Sequence, residues 1–170
     1  YNVAIGLAAL SADTLGSRST AIGHGALENQ NFTSATDTYN TAVGYVAGLS
    51  ITTGVQNTLI GGQAGDAITT ANNNVALGKS ALGATTTGGS NVAIAVNALG
   101  SNTTGATNVA IGQDTLYNNT TASNNTAVGH NAMVANTTGA SNVALGHTAL
   151  ASNTTGTQNT AVGALAGDSI

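Results

Sequence analysis

The chain has no cysteine, proline or tryptophan, and only 5% of its 170 residues are charged. Without cysteine there can be no disulfides. Arg18 and Lys79 are the only lysine or arginine residues and the formal net charge is −4, which argues against nucleic-acid binding because phosphate contacts need several cations. No run of about 18 apolar residues occurs, so no membrane insertion is expected. Hydrophobic residues nevertheless make up 41% of the chain, which argues against disorder.

What the sequence does contain is one repeated phrase. The pentapeptide Asn-(Val/Thr)-Ala-(Ile/Val/Leu)-Gly, with minor substitutions, begins at Asn2, Ser19, Asn40, Asn57, Asn74, Asn91, Asn108, Asn125, Asn142 and Asn159. Successive starts are 17 residues apart, except for an interval of 21 residues that places a four-residue insertion within residues 23–39. We number the repeat from this first residue as position one. Residues 1–170 are therefore predicted to form a single array, which we interpret as a segment of a longer chain.

The period predicts a parallel β-solenoid. Positions two to four alternate and are rich in β-branched residues, which indicates a short strand, and the glycine at position five indicates a turn. Seventeen residues are too few for a helical hairpin but suit one coil of an all-β roll, and ten coils would span roughly 48 Å. We expect the branched aliphatic residues at position four, from Ile5 to Val162, to face the interior. The alanines at positions three and eight would then lie outside and pack against neighbouring chains.

Two other columns of the repeat are predicted to build the interior. Position nine is Leu or Met in seven repeats and glycine in the others, at Gly48, Gly65 and Gly167. The same three repeats carry Ile51, Ile68 and Ile170 at position twelve, where the others have polar residues. Two positions that exchange one large side chain are expected to fill one interior space. The asparagines at position one are expected to stack as a ladder of side-chain amide hydrogen bonds.

The phrases NVAIG, NTAVG and STAIGHGAL resemble the head repeats of trimeric autotransporter adhesins, the YadA-like heads, and the NTAVG arrays of phage and bacterial tail fibres. The resemblance covers essentially the whole chain, although the adhesin repeat is usually shorter. It implies a left-handed parallel β-roll in which three chains lie side by side. It also implies a rod that presents an adhesive surface to a host glycan or protein, outside the cell or on a virion.

Several residues are candidates for recognition or modification. The insertion brings the only phenylalanine and two of the six acidic residues into one segment, and the candidate recognition loop consists of Glu28, Asn31, Phe32, Asp37 and Tyr39. Seven Asn-x-Ser/Thr sequons occur, and four of them recur at position twelve: Asn102, Asn119, Asn136 and Asn153. In a host that glycosylates secreted proteins, these four would form a column of glycans along one edge.

The three histidines, His24, His130 and His147, share position six. His130 and His147 belong to adjacent repeats and are expected to stack, which would suit either a variable surface or a transition-metal site. We favour the surface and predict neither metal nor cofactor.

No catalytic constellation is apparent, because the acidic residues are scattered over different positions and no base recurs beside a serine or threonine. The sequence thus favours a non-enzymatic, homo-oligomeric, adhesive fibre segment. The alternatives are a self-assembling extracellular filament and an ice-binding solenoid, since Thr-Thr recurs at positions thirteen and fourteen.

Overall fold

A computed structural model describes residues 1–168 of the chain as a parallel β-solenoid with coils of 17 residues. It contains twelve short strands: β1 (Val3–Ile5), β2 (Gly16–Ser17), β3 (Thr20–Ile22), β4 (Thr36–Asp37), β5 (Thr41–Val43), β6 (Thr58–Ile60), β7 (Val75–Leu77), β8 (Val92–Ile94), β9 (Val109–Ile111), β10 (Thr126–Val128), β11 (Val143–Leu145) and β12 (Thr160–Val162). In the part of the chain that is described, no helix has the length and apolarity needed to cross a bilayer.

Ten of these strands form one sheet in the order β1-β3-β5-β6-β7-β8-β9-β10-β11-β12, and every neighbouring pair is parallel. Equivalent repeat positions pair directly, as Ala93 does with Ala110 in β8 and β9. Strands β2 and β4 form a separate pair at the insertion. The predicted all-β parallel solenoid is confirmed.

The predicted orientation of the strands is wrong. The alanines at position three are fully buried from Ala21 to Ala144, whereas the residues at position four face outward, with Leu77 45% exposed. Alanines at position eight, such as Ala81, are buried as well. Large side chains at positions nine and twelve, such as Leu82, Leu99 and Ile68, already fill the interior, so position three holds a small residue and the branched residues of the strand point away. Both strand faces are apolar, and alternation alone cannot distinguish them.

The glycines at position five have φ between 125° and 142°, a region that L side chains rarely adopt. They also allow adjacent coils to approach: a Cβ at Gly129 would lie 2.3 Å from the carbonyl oxygen of Gly146. The chain then curls through successive turns, in which the amide of Ala98 donates to the carbonyl of Ala95 and that of Gly100 to Asn97, at 3.3 and 3.0 Å. These turns direct the buried side chain at position nine into the core.

The exchange between positions nine and twelve is confirmed in two repeats. Ile51 and Ile68 are fully buried, and a Cβ at Gly65 would lie 2.8 Å from Cδ1 of Ile68. The third exchange involves Ile170, which lies outside the described residues. Leu59, which replaces alanine at position three, completes this region of the core, because its Cδ atoms lie 2.8 Å from the Cβ positions of both Gly48 and Gly65.

The asparagines at position one form the predicted ladder. From Asn40 to Asn142 each is fully buried, and its Oδ1 accepts from the backbone amide of its counterpart in the next coil, as in Asn91 N to Asn74 Oδ1 at 2.9 Å. The Nδ2 of Asn91 donates to the carbonyl of Gly105, at 2.9 Å, within its own coil. These asparagines therefore hold each coil closed and bind it to its neighbours.

Candidate functional sites

The insertion presents an exposed polar cluster built around Arg18. Its Nε lies 3.1 Å from Oδ1 of Asp37, and its Nη1 donates to the hydroxyl of Tyr39 at 2.9 Å. The guanidinium carbon also lies 5.5 Å from the centroid of the Tyr39 ring. Pairing of β2 with β4 brings these groups together, and the hydroxyl of Ser17 donates to Asp37 at 2.7 Å. Arg18 was not among the residues predicted for this site.

The other predicted members of the recognition loop lie apart from this cluster. Phe32 is only 8% exposed and is therefore buried, not presented at the surface. Asn31 is exposed, and its Oδ1 accepts a hydrogen bond from Thr14 at 3.0 Å, while Glu28 is half-buried. The structure thus brings Asp37 and Tyr39 together without Glu28 or Phe32, and recognition by the loop stays a prediction.

A buried polar network anchors the insertion to the core. Gln30 is fully buried, and its Nε2 donates to Oδ2 of Asp13 and to the hydroxyl of Ser19, both at 3.1 Å. Its Oε1 accepts from Nδ2 of Asn40 at 2.8 Å. The hydroxyls of Ser19 and Thr38 also bond to one another. Because these groups satisfy one another, the network explains how the second repeat does without an asparagine at position one.

The histidines of position six lie on the surface. His130 and His147 stack as predicted, with ring centroids 5.4 Å apart and planes 11° apart, and both are exposed. His24 stacks in the same way on Tyr45, at 5.5 Å. Within residues 1–168, no group of three or more His, Cys, Asp or Glu side chains is placed to hold a metal ion. A ring stack at this position therefore forms with tyrosine as well as with histidine.

The sequon asparagines at position twelve lie in the core. Asn102, Asn119 and Asn136 are fully buried, and Asn153 is 4% exposed. The Nδ2 of Asn119 donates to Oδ1 of Asn102 at 2.9 Å and to the carbonyl of Ala122 at 3.0 Å. A glycan on this nitrogen would displace both bonds, so burial argues against the predicted glycan column in the folded chain. These residues instead form a second amide ladder, which the sequon pattern concealed.

A groove on the turn side of the coils was not predicted from the sequence. It has a volume of about 310 Å³ and is lined by Gln63, Asp66, Ser80, Gly83, Ala84, Asn97, Gly100 and Tyr117. Asp66, Gly83, Gly100 and Tyr117 occupy position ten of four successive coils. The two glycines lack side chains, so a gap opens between the carboxylate and the ring. Burial raises the pKa of Asp66 above its ordinary value. Hydrogen bonds from the backbone amides of Asp66 and Ala67 lower this pKa, but by less than burial raises it.

The outward surface of the ten-stranded sheet carries only aliphatic and threonine side chains, which come from positions two and four of the repeat. We call it the outer sheet face, and it consists of Val3, Ile5, Thr20, Ile22, Thr41, Val43, Thr58, Ile60, Val75, Leu77, Val92, Ile94, Val109, Ile111, Thr126, Val128, Val143, Leu145, Thr160 and Val162. None of these residues is charged. Exposed or half-buried branched side chains repeat along it in two parallel columns.

Comparison of the chain with family models, with curated proteins and with solved structures finds no match.

Proposed function

We propose that this chain is the shaft of an extracellular adhesive fibre, in which parallel copies associate through the outer sheet face, most simply as a trimer. The observation that carries the proposal is that face itself, which is mainly aliphatic, uncharged and unbroken over ten strands. It replaces the alanine column as the surface of association, because those alanines lie inside the coil. Contiguous apolar patches of this kind mark interaction sites.

A second copy suits this surface better than an unrelated partner. Ten strands at about 4.8 Å extend the face over roughly 48 Å, and two side-chain columns give it a width on the order of 10–15 Å. The resulting area, on the order of 500–700 Å² per chain, is close to the ~800 Å² that one protein buries in a stable interface, and in a trimer it would be divided between two neighbours. Another copy aligned in parallel has the same coil spacing and also lacks charge, so its columns match along the entire length.

The regular ladders support the role of a shaft. The strand register passes unbroken from β1 to β12, and the buried asparagines bond each coil to the next. A rigid rod of this kind can hold many weak contacts with host glycans or proteins at once, and multivalency then strengthens attachment without any single strong site.

Sedimentation velocity of the full chain tests the association. We expect a folded trimer, and we expect the double variant Leu77→Asp with Leu145→Asp to shift it to monomer, because each substitution places a charge in the outer sheet face. The matched control is Thr87→Asp with Thr155→Asp, at exposed position fourteen of the same two coils, which should leave the trimer intact. A wild-type chain that sediments as a folded monomer would contradict the proposal.

Attachment itself is tested with beads that carry the chain. Beads coated with wild-type protein should be retained under flow on surfaces bearing immobilised glycans or host matrix proteins, and beads coated with albumin should not. Equal retention of the two would remove the adhesive role and leave only a structural one.

One observation favours the ice-binding alternative. The threonines at position fourteen are exposed in seven successive coils: Thr53, Thr70, Thr87, Thr104, Thr121, Thr138 and Thr155. The position-thirteen hydroxyls, however, donate to backbone carbonyls of the next coil, as Thr86 does to Thr103 at 3.2 Å. A single free column offers no two-dimensional lattice of hydroxyls. Thermal hysteresis of a dilute solution is therefore expected to be absent, and a large value would favour ice binding instead.

A further inference from the structure

The groove between Asp66 and Tyr117 is lined by polar side chains and one aromatic ring. We propose that it binds a neutral pyranose ring, which packs on Tyr117 while its hydroxyls bond to Asp66, Gln63 and Asn97. The groove lies on the turn side and shares no residue with the outer sheet face. The saccharide site therefore does not depend on trimer formation, and it rests on the proposed adhesive function only for its biological role.

The aromatic wall is held in a fixed position. A Cβ at Gly100 would lie 2.8 Å from Cε2 and 2.9 Å from Cδ2 of Tyr117, so that edge of the ring rests directly on the glycine backbone. The side chain remains 38% exposed. An aromatic ring with an apolar body and a polar tip is suited to a ligand that has both C–H and O–H groups on its surface. A pyranose is such a ligand.

The opposite wall supplies hydrogen-bond acceptors and donors. An ionised Asp66 only accepts, so it pairs with hydroxyl donors, whereas the amides of Gln63 and Asn97 and the hydroxyl of Ser80 can both donate and accept. The partly buried surroundings that raise the pKa of Asp66 also strengthen the bonds that it makes to a ligand. At about 310 Å³, the groove lies at the lower end of the range for small-molecule sites.

Charge around the groove selects for neutral sugars. Among the described residues, no lysine, arginine or histidine lines it. The Nδ2 of Asn97 donates to Oδ1 of Asp114 at 2.9 Å, which places a second carboxylate beside the site. A carboxylated or sulfated sugar would bring a further negative charge to these two groups. We therefore expect acidic saccharides to bind more weakly than neutral ones.

Gly83 and Gly100 are essential to the shape of the groove. The carboxylate of Asp66 extends toward Gly83, whose Cβ position is 3.7 Å from Oδ1, and Tyr117 covers Gly100 from the other side. The groove arises because two successive coils omit a side chain at position ten. In the next repeats position ten holds Val134 and Ala151, which would fill such a gap.

The test is an amide chemical-shift titration of the full-length labelled chain. The probes are the methyl pyranosides of galactose, glucose and N-acetylglucosamine, with glycerol as a polyol without a ring and N-acetylneuraminic acid as the acidic sugar. We expect at least one neutral pyranoside to shift the backbone amides of Gly83 and Gly100 and the side-chain amides of Gln63 and Asn97, with saturation at millimolar concentration. Glycerol and the acidic sugar should bind at least tenfold more weakly.

Two variants locate the site and two control for surface changes. Tyr117→Ala and Asp66→Asn should each weaken the pyranoside Kd at least tenfold. Tyr45→Ala, another exposed tyrosine, and Asp168→Asn, at position ten of a distant coil, should leave it within twofold of wild type. Unchanged amide spectra away from the groove verify that each variant is folded.

Any of three results would overturn the saccharide site. These are the absence of shifts at the groove with every neutral pyranoside, shifts equal to those caused by glycerol, and unchanged affinity in both groove variants. None of these results affects the sedimentation and bead tests of the shaft. Conversely, a chain that is monomeric but binds pyranosides at the groove would support the saccharide site and contradict the proposed trimer.

Discussion

The core is filled in two different ways along the same rod. In residues 91–158, the amide coils, a leucine or methionine at position nine lies beside a buried asparagine at position twelve. In residues 40–73, the aliphatic coils, position nine is glycine and position twelve is a buried isoleucine. Leu59 occurs only in the second region, where it reaches over both glycines.

The difference shows that interior volume is conserved while its chemistry is not. An asparagine at position twelve needs neighbours of its own kind, since Asn136 donates to Asn119 at 2.9 Å and Asn119 to Asn102 at the same distance. The ladder ends at Thr85, whose hydroxyl accepts from Asn102 at 3.2 Å. Isoleucine needs no such partner but requires glycine beside it. Each of these two ways of filling the core is therefore stable only when all of its residues occur together.

The backbone adds a second contrast. The residues at position nine adopt left-handed φ, as Leu99 does at 52° and Gly65 at 55°. That conformation costs a leucine on the order of 1–2 kcal/mol, whereas burial of its side chain contributes about 1.5–3 kcal/mol. The aliphatic coils avoid the backbone cost, and they recover the lost volume through Ile51, Ile68 and Leu59.

The largest effect is expected from Leu59→Ala. Its side chain covers Gly48 and Gly65 at once, and because both of these coils have glycine at position nine, neither supplies a side chain there to fill the space that it leaves. We expect a loss of about 3–5 kcal/mol in unfolding free energy, measured by urea denaturation followed by circular dichroism. Leu99→Ala in the amide coils should cost less, about 2–3 kcal/mol, because Leu82 and Leu116 flank it in adjacent coils. A smaller loss for Leu59→Ala than for Leu99→Ala would contradict this account.

A double-mutant cycle tests whether the packing of the aliphatic coils can replace that of an amide coil. Asn119→Ile alone should cost about 2–4 kcal/mol, because it breaks the amide ladder and crowds Leu116. Combined with Leu116→Gly, it reproduces the arrangement of the aliphatic coils, and the pair should be less destabilising than the sum of the single changes by about 1–3 kcal/mol. Thermal and urea denaturation of the four proteins measure this coupling energy. Simple additivity would show that positions nine and twelve do not share one space.

The smallest effect concerns Asp66, which belongs to the aliphatic coils. Desolvation raises the pKa of this carboxyl above its ordinary value of 3.8. A raised folded-state pKa means that its contribution to stability is fully present below the unfolded value and is lost as pH rises through the folded value. Asp66→Asn should therefore raise Tm at pH 7 by about 1–2 °C and leave it unchanged near pH 3, as recorded by circular dichroism. A lower Tm at pH 7 would oppose this assignment.

Much of the fold could be predicted from the sequence because the repeat samples each position ten times. The pairing of Gly48 with Ile51 and of Gly65 with Ile68 was visible as correlated change, and the recurring Asn91 and Asn108 indicated a ladder. The strand orientation was not predictable in this way. Alanine and isoleucine alternate as two apolar columns, and the assumption that the larger residue is buried fails because a large side chain from position nine or twelve already occupies the interior.

The sites were less predictable than the fold for a physical reason. The groove is formed by the position-ten residues of four successive coils and the position-seven residues of three of them. Only the stacking of the coils brings residues such as Asn97 and Tyr117 to one surface. Its one signal in the sequence is at position ten of the repeat, where Gly83 and Gly100 stand between an acidic and an aromatic residue of the flanking repeats. The insertion was visible as extra length, yet Phe32 turned inward and Arg18, from outside the segment, joined Asp37 and Tyr39.

The ladder bonds have a mechanical consequence. They join one coil to the next, and so they lie along the direction in which a tethered rod is pulled. A tensile load on the two ends is carried by every coil-to-coil contact in series, and the weakest contact yields first. Each coil of 17 residues that opens releases about 56–61 Å of extended chain and gives up about 4.8 Å of rod. Under force the molecule should therefore lengthen in discrete steps of about 51–56 Å, absorbing work before its attachment breaks.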